Sequence, residues 1–197
     1  TAFKDDPGVV FDLYNEPFIK PENAETTDPW TCWLGGCVMR RSAPGGETWK
    51  SAGMQALVDA VRATGATNVI VLGGLSYAND LSGWLDHAPN DPLHQLAASF
   101  HLYNFAWPCS SSACWTGTLG PLAARVPVLT GELGENDCDR GFVDAYMGWA
   151  DRQGISYLGW AWNTWDCRSG PSLIRDYDGT PTAFGAGLEA HLAELRR

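Results

Sequence analysis

The sequence predicts an α/β fold that is part of a (β/α)8 TIM barrel, an open half-barrel or fragment with about five β/α units. Three observations carry this reading. Strand and helix signals alternate along the chain, and buried-looking strands interleaved with helices mean a parallel sheet. Segments that follow strands are long and carry the cysteines and tryptophans, whereas those that follow helices are short, such as Gly65-Ala66-Thr67 and Gly154. That asymmetry is typical of (β/α) barrels, whose function sits at the C-terminal ends of the strands. Finally, 197 residues suffice for one domain, 1–197, with a substantial core, yet a full barrel has eight strands and typically about 250 residues.

Each element has its own justification. Val9–Asn15 is a short run of β-branched and bulky residues, a strand by composition. Period-2 alternation puts Val10, Asp12, Tyr14 and Glu16 on one face, with Asn15 and Glu16 at the exit before Pro17. Upstream, Thr1-Ala2-Phe3-Lys4 reads as the tail of an earlier helix. A helix is expected over Thr48–Thr64, where Met54, Leu57, Val58 and Val61 form an apolar face and Gly65 serves as C-cap. Further strands are expected at Asn68–Gly73, Ala98–Asn104, Pro127–Glu132 and Ile155–Trp162. Helices are expected at Leu93–Ala97, Leu119–Arg125, Cys138–Gln153 and Thr182–Leu195.

Composition excludes several classes. A formal charge of −10 with only three lysines (Lys4, Lys20, Lys50) and no basic run argues against nucleic acid or anionic membrane as a partner. No apolar stretch approaches the roughly 20 residues that span a bilayer. No signal peptide is visible at the start, as expected of a mature or trimmed chain. Ten tryptophans, many beside Gly, Pro, Cys or Asp, suggest flat apolar platforms that stack on sugar rings, the alternative for each being core filling. The six cysteines include two pairs five residues apart in Gly/Ser/Pro-rich stretches, Cys32 with Cys37 and Cys109 with Cys114, leaving Cys138 and Cys167. This spacing favours those three disulfides over the other pairings, and hence secretion. It matches no zinc ribbon, and the four histidines are scattered, so neither a metal nor another cofactor is expected.

Four strand ends carry chemistry. Asn15-Glu16-Pro17 closes the first strand, and His101 and Tyr103 share a face of the third. Glu132 follows Gly131 at the exit of the fourth, and Trp160 and Trp162 share a face of the fifth. A strand histidine alone is more often a core residue; the set, in this order, is specific. It resembles glycoside hydrolase family 5, the retaining cellulases and mannanases. The resemblance covers most of the chain and assigns its strands as four to eight of the barrel.

The resemblance implies that Glu16 is the acid/base and Glu132 the nucleophile, two carboxyl groups held roughly 5–5.5 Å apart in such enzymes. It further implies that Tyr103 bonds Glu132, that His101 lines the same subsite, and that Asn15 holds the sugar 2-hydroxyl. Trp162 is then the stacking floor, Trp160 competes for that place, and Trp84, Trp107 and Trp165 are candidates for outer subsites. Asp12 reads as a buried, hydrogen-bonded structural carboxylate, Glu135 and Asp137 as solvated loop charges, and Asp80 as a candidate sugar contact. Strands one to three of the family, which supply an active-site Arg and His, have no counterpart here, so the barrel edges are expected to stay exposed and to favour homo-oligomers. The expected function is hydrolysis of a polysaccharide or oligosaccharide, foremost β-1,4-glucan, by a secreted endo-β-glycanase. The alternative is a catalytically impaired half-barrel that binds glycan or self-associates.

Overall fold

The computed structural model describes residues 2–25, 28–41 and 45–196, which cluster into two units, Thr1–Ser99 and Phe100–Arg197. Thr1, where the expected helical tail begins, lies outside the described residues. Ala2–Asp5 form turns rather than a helix, with Asp6 N donating to Phe3 O at 3.1 Å.

The first unit contains strand β1 (Phe11–Asp12), helix α1 (Pro29–Gly35), strands β2 (Cys37–Arg40) and β3 (Thr48–Ser51), helix α2 (Met54–Arg62), strand β4 (Ile70–Gly73) and a single turn α3 (Leu75–Ala78) with left-handed residues inside it. Strand β5 (Leu96–Tyr103) begins in this unit and ends in the second. β1 pairs parallel with β4, and β4 with the start of β5. All four residues of β4 are buried, which explains a run of Ile, Val and Leu without alternation. β1 is shorter than expected because the chain leaves the ladder beyond Leu13, whose N–H still reaches Val71 O at 3.4 Å.

Two helix expectations fail here. Thr48–Ser51 is a strand, paired antiparallel with β2, and α2 starts only at Met54. Thr48 and Trp49 favour strands. Gly53 approaches Gly36 and Leu34 so closely that a Cβ would lie 2.3 Å from their backbone, which separates hairpin from helix. Leu93–Ala97 is not helical either: His94 sits at φ 51 and β5 starts at Leu96. Five residues are too few to offset helix nucleation when a neighbouring strand offers its edge.

The second unit holds the end of β5, short helical turns α4 (Ser112–Cys114) and α5 (Gly120–Ala123) joined by a π-helical turn, strand β6 (Val128–Gly134), helix α6 (Gly141–Gln153), strand β7 (Ser156–Gly159) and helix α7 (Ala183–Leu195). β6 lies between β5 and β7 in the sheet and is parallel to β7. Val143, Tyr146, Met147 and Ala150 form the buried face of α6, with Trp115 edge-on to Tyr146 at 5.0 Å. The five parallel strands with their helices are those of a partial (β/α) barrel. Val10 is 49% exposed, whereas Ile70, Val71 and Val128 are buried. The disulfides are Cys32–Cys37, Cys109–Cys114 and Cys138–Cys167, as the spacing favoured.

Candidate functional site

Two carboxylates stand at strand exits, one in each unit. In the first unit, Asn15-Glu16-Pro17 passes over the end of β4, where Gly73 lets it approach: a Cβ there would meet Pro17 Cδ and Ala78 Cβ at 3.3 Å. Pro17 is buried, and Glu16 is half-buried with a left-handed backbone, φ 52. Non-glycine residues adopt that region at a cost of about 1–3 kcal/mol and cluster where function needs them. Ser76, Tyr77 and Ala78 follow at φ 53, 61 and 58. They are held by paired Leu75 and Asp80 backbones and by Tyr77 N donating to Pro17 O at 3.2 Å. Tyr77, 54% exposed, stacks on Phe18 with ring centroids 4.3 Å apart. Sequence reading missed this aromatic pair. Phe18, an aromatic directly after a loop proline, was a usable signal; nothing in Leu75-Ser76-Tyr77-Ala78 announces a left-handed turn.

In the second unit, β5 and β6 bring His101, Tyr103 and Glu132 together. The Tyr103 hydroxyl donates to Glu132 Oε2 in a short hydrogen bond, and His101 Nδ1 lies 3.3 Å from the same oxygen. His101 and Glu132 side chains are 5% and 13% exposed, so the carboxylate is largely shielded from solvent. The chain leaving β7 runs beside it. Trp160 N donates to Leu133 O at 2.9 Å, next to Glu132, and its side chain is 43% exposed. Trp162, 66% exposed, lines a separate apolar groove with Leu173, Leu188 and Leu192. Trp107 and Trp165 are exposed, whereas Asn15 stands exposed beside Glu16 in the first unit.

Other expectations change. Trp84 is no platform: it is 1% exposed and its indole N–H donates to Leu72 O at 3.1 Å, which makes it core. Glu135 is not a solvated loop charge. It is 2% exposed, and its Oε2 accepts from Phe142 N at 2.9 Å and Val143 N at 3.1 Å, capping α6 from outside the helix. Burial pushes its carboxyl above the ordinary glutamate value. Asp137 is exposed as expected and accepts from Asn104 Nδ2 at 3.3 Å. Asp80 Oδ1 takes Ser82 N at 2.9 Å in a local turn. Asp12, expected to be buried, is exposed, because β1 is an edge strand of the sheet.

A partial (β/α) barrel with carboxylates at strand exits defines the class by its fold: a (β/α)-barrel protein with acidic groups at the strand ends. The family follows from comparison with known proteins. The model of the cellulase family, glycosyl hydrolase family 5, matches residues 1–166, and the chain belongs to that family. A search of curated proteins gives no match. Among solved structures, the chain is similar to a β-glucanase, SdGluc5_26A from Saccharophagus degradans, at TM-score 0.71 and 20% identity, over 99% of this chain and 56% of that one. It is similar to an endo-β-1,4-glucanase from Xanthomonas axonopodis pv. citri at TM-score 0.64 and 20% identity, over 96% and 61%. It is also similar to a β-mannanase from Thermomonospora fusca at TM-score 0.66 and 20% identity, over 93% and 56%. The chain thus spans less than two thirds of each of these structures.

Proposed function

We propose that this chain carries the catalytic carboxylates of a secreted, retaining endo-β-glycanase acting on β-1,4-glucan. The observation that supports it most is Glu132: the Tyr103 hydroxyl donates to its Oε2, and His101 Nδ1 lies 3.3 Å from the same oxygen. A carboxylate held on one oxygen presents the other, Oε1, for attack. In the proposed reaction Oε1 attacks the anomeric carbon as the glycosidic C–O bond breaks, and the leaving oxygen takes the Glu16 proton. Water then attacks the glycosyl ester, yields a proton to Glu16 and frees Glu132. Asn15 holds the sugar 2-hydroxyl. Trp160 and Trp162 remain the two floor residues in question, and the backbone pairing of Trp160 beside Glu132 favours Trp160. Glucan is preferred because the β-glucanase of the Saccharophagus degradans comparison was also obtained with cellotetraose, although the mannanase shares the fold.

A 2-fluoro-cellobioside tests the assignment. It should add one glycosyl unit to the peptide containing Glu132, and Glu132→Gln should abolish both labelling and turnover. Labelling of any other residue refutes it. The second reading, an impaired half-barrel that binds glycan or self-associates, draws on the apolar groove of about 380 Å³ beneath Trp162 and on the exposed Leu158, at 57%. Light scattering that finds a dimer without turnover would select it.

A further inference from the structure

Beyond Glu132, the second unit contains a cavity of about 470 Å³ between the start of α6 and the start of α7. Its lining includes Glu135, Asp139, Trp165, Asp166, Arg175 and the Cys138–Cys167 disulfide, and none of the Glu132 cluster. The size is within the range of small-molecule sites.

The decisive atom is Glu135 Oε1. Its sister oxygen takes two N–H donors from α6, but Oε1 is buried and has no hydrogen-bond partner among the described residues. Buried polar atoms without partners are rare and call for a ligand or a function. Nearby, Cys138 holds a left-handed backbone at φ 68 although it is not glycine. Trp165 is fixed in place, with its indole against Gly170, where a Cβ would approach Cε3 to 2.8 Å, and with its carbonyl accepting from Ser172 Oγ at 2.7 Å. It nonetheless keeps 45% of its surface exposed. Arg175 is exposed and forms no ion pair among the described residues.

The ligand class follows from these groups. Three carboxylates against one guanidinium disfavour an anion. A metal ion lacks ligands: the only cluster at the cavity among the described residues is Cys138, Asp166 and Cys167, and both sulfurs are joined to each other. A neutral ligand whose hydroxyls donate to carboxylates, accept from Arg175 and whose apolar face lies on an indole satisfies every group. We propose that this cavity is a second carbohydrate site, which takes a single hexosyl unit with a hydroxyl donating to Glu135 Oε1.

The test uses the full chain with Glu132→Gln, so that no sugar is turned over, and isothermal titration with cellobiose, glucose and, separately, calcium chloride. Cellobiose and glucose should bind saturably, and adding Arg175→Ala or Glu135→Gln should weaken one class of sites by about tenfold or more, the loss expected when a charged hydrogen bond is removed. Arg175→Ala keeps the test decisive if Glu135→Gln unfolds, since Arg175 supports no other described group. Sugar binding at the Glu132 site alone would survive both substitutions, so the two sites are told apart. Unchanged titrations in both variants, absence of sugar binding to the folded parent, or calcium binding that either variant removes would each overturn the proposal.

Discussion

Replacing Asp91 with Asn should destabilise the protein by about 3–5 kcal/mol, the cost of leaving a buried charge unpaired. Arg62 grips Asp91 with both ends of its guanidinium, Nε to Oδ1 at 2.8 Å and Nη2 to Oδ2 at 2.9 Å. Leu93 N and Gln95 N add bonds at 3.2 and 2.9 Å. Side-chain exposures of 9% and 1% keep water out. Nη1 of the same arginine holds the carbonyls of Ala66 and Asn68, both at 2.9 Å, so the pair ties the end of α2 to the entries of β4 and β5. An amide offers one acceptor oxygen and turns an NH2 toward donors. The arginine bonds, foremost, hold the Asp91 carboxyl down from 3.8 to about 2. A lowered carboxylate stabilises the fold above its ordinary value and stops doing so as pH falls through the folded one. That difference is worth about 2 kcal/mol, lost between roughly pH 4 and pH 2. Urea unfolding followed by tryptophan fluorescence, near pH 7 and near pH 3, reads both effects. The parent should weaken on acidification by more than Asp91→Asn does. A loss below about 1 kcal/mol near neutral pH, or equal acid responses, would refute the reasoning.

Tyr103→Phe should lower kcat/KM on an aryl cellobioside by about 10- to 150-fold, the worth of one hydrogen bond to a charged group, with the melting temperature nearly unchanged. Glu16→Ala should impair natural glucans far more than substrates with activated leaving groups, which need little protonation; equal losses in kcat would remove it as proton donor. Replacing Cys138 and Cys167 with Ser opens a loop of 29 residues and should cost about 3–4 kcal/mol in the chain-entropy picture. Opening Cys109–Cys114, a separation of 5, should cost about 2 kcal/mol, and calorimetry of the two double variants separates them.

Much of this architecture is legible in the chain because burial dictates composition. Ile70, Val71 and Leu72 have neighbours on both faces, and only a parallel strand uses such a run. Cys138–Gln153 and Thr182–Leu195 read as helices and fold as helices, starting at Gly141 and Ala183, because caps shift ends by a few residues. The antiparallel hairpin at 37–51 was hidden because Trp49 and Lys50 look like the start of the helix that follows, and only cross-strand pairing reveals otherwise. Among the candidate residues, Glu16, His101, Tyr103 and Glu132 stood out because polar groups at the ends of apolar strands are unusual. Glu135 was misread, since its burial depends on backbone N–H groups seven and eight residues later. Trp84 was misread because tryptophans of core and of platform share the same local sequence.

Selection for heat resistance would treat position 16 as a defect. A left-handed glutamate is a site where glycine is the better-tolerated residue, so Glu16→Gly should be favoured in any screen scored on survival of the fold. The same holds for Ser76, Tyr77 and Ala78, three consecutive side chains in a conformation made for none of them. Directed evolution of this chain for hardiness alone would drift toward a more robust protein stripped of the proposed proton donor, unless the screen also demands a cleaved sugar.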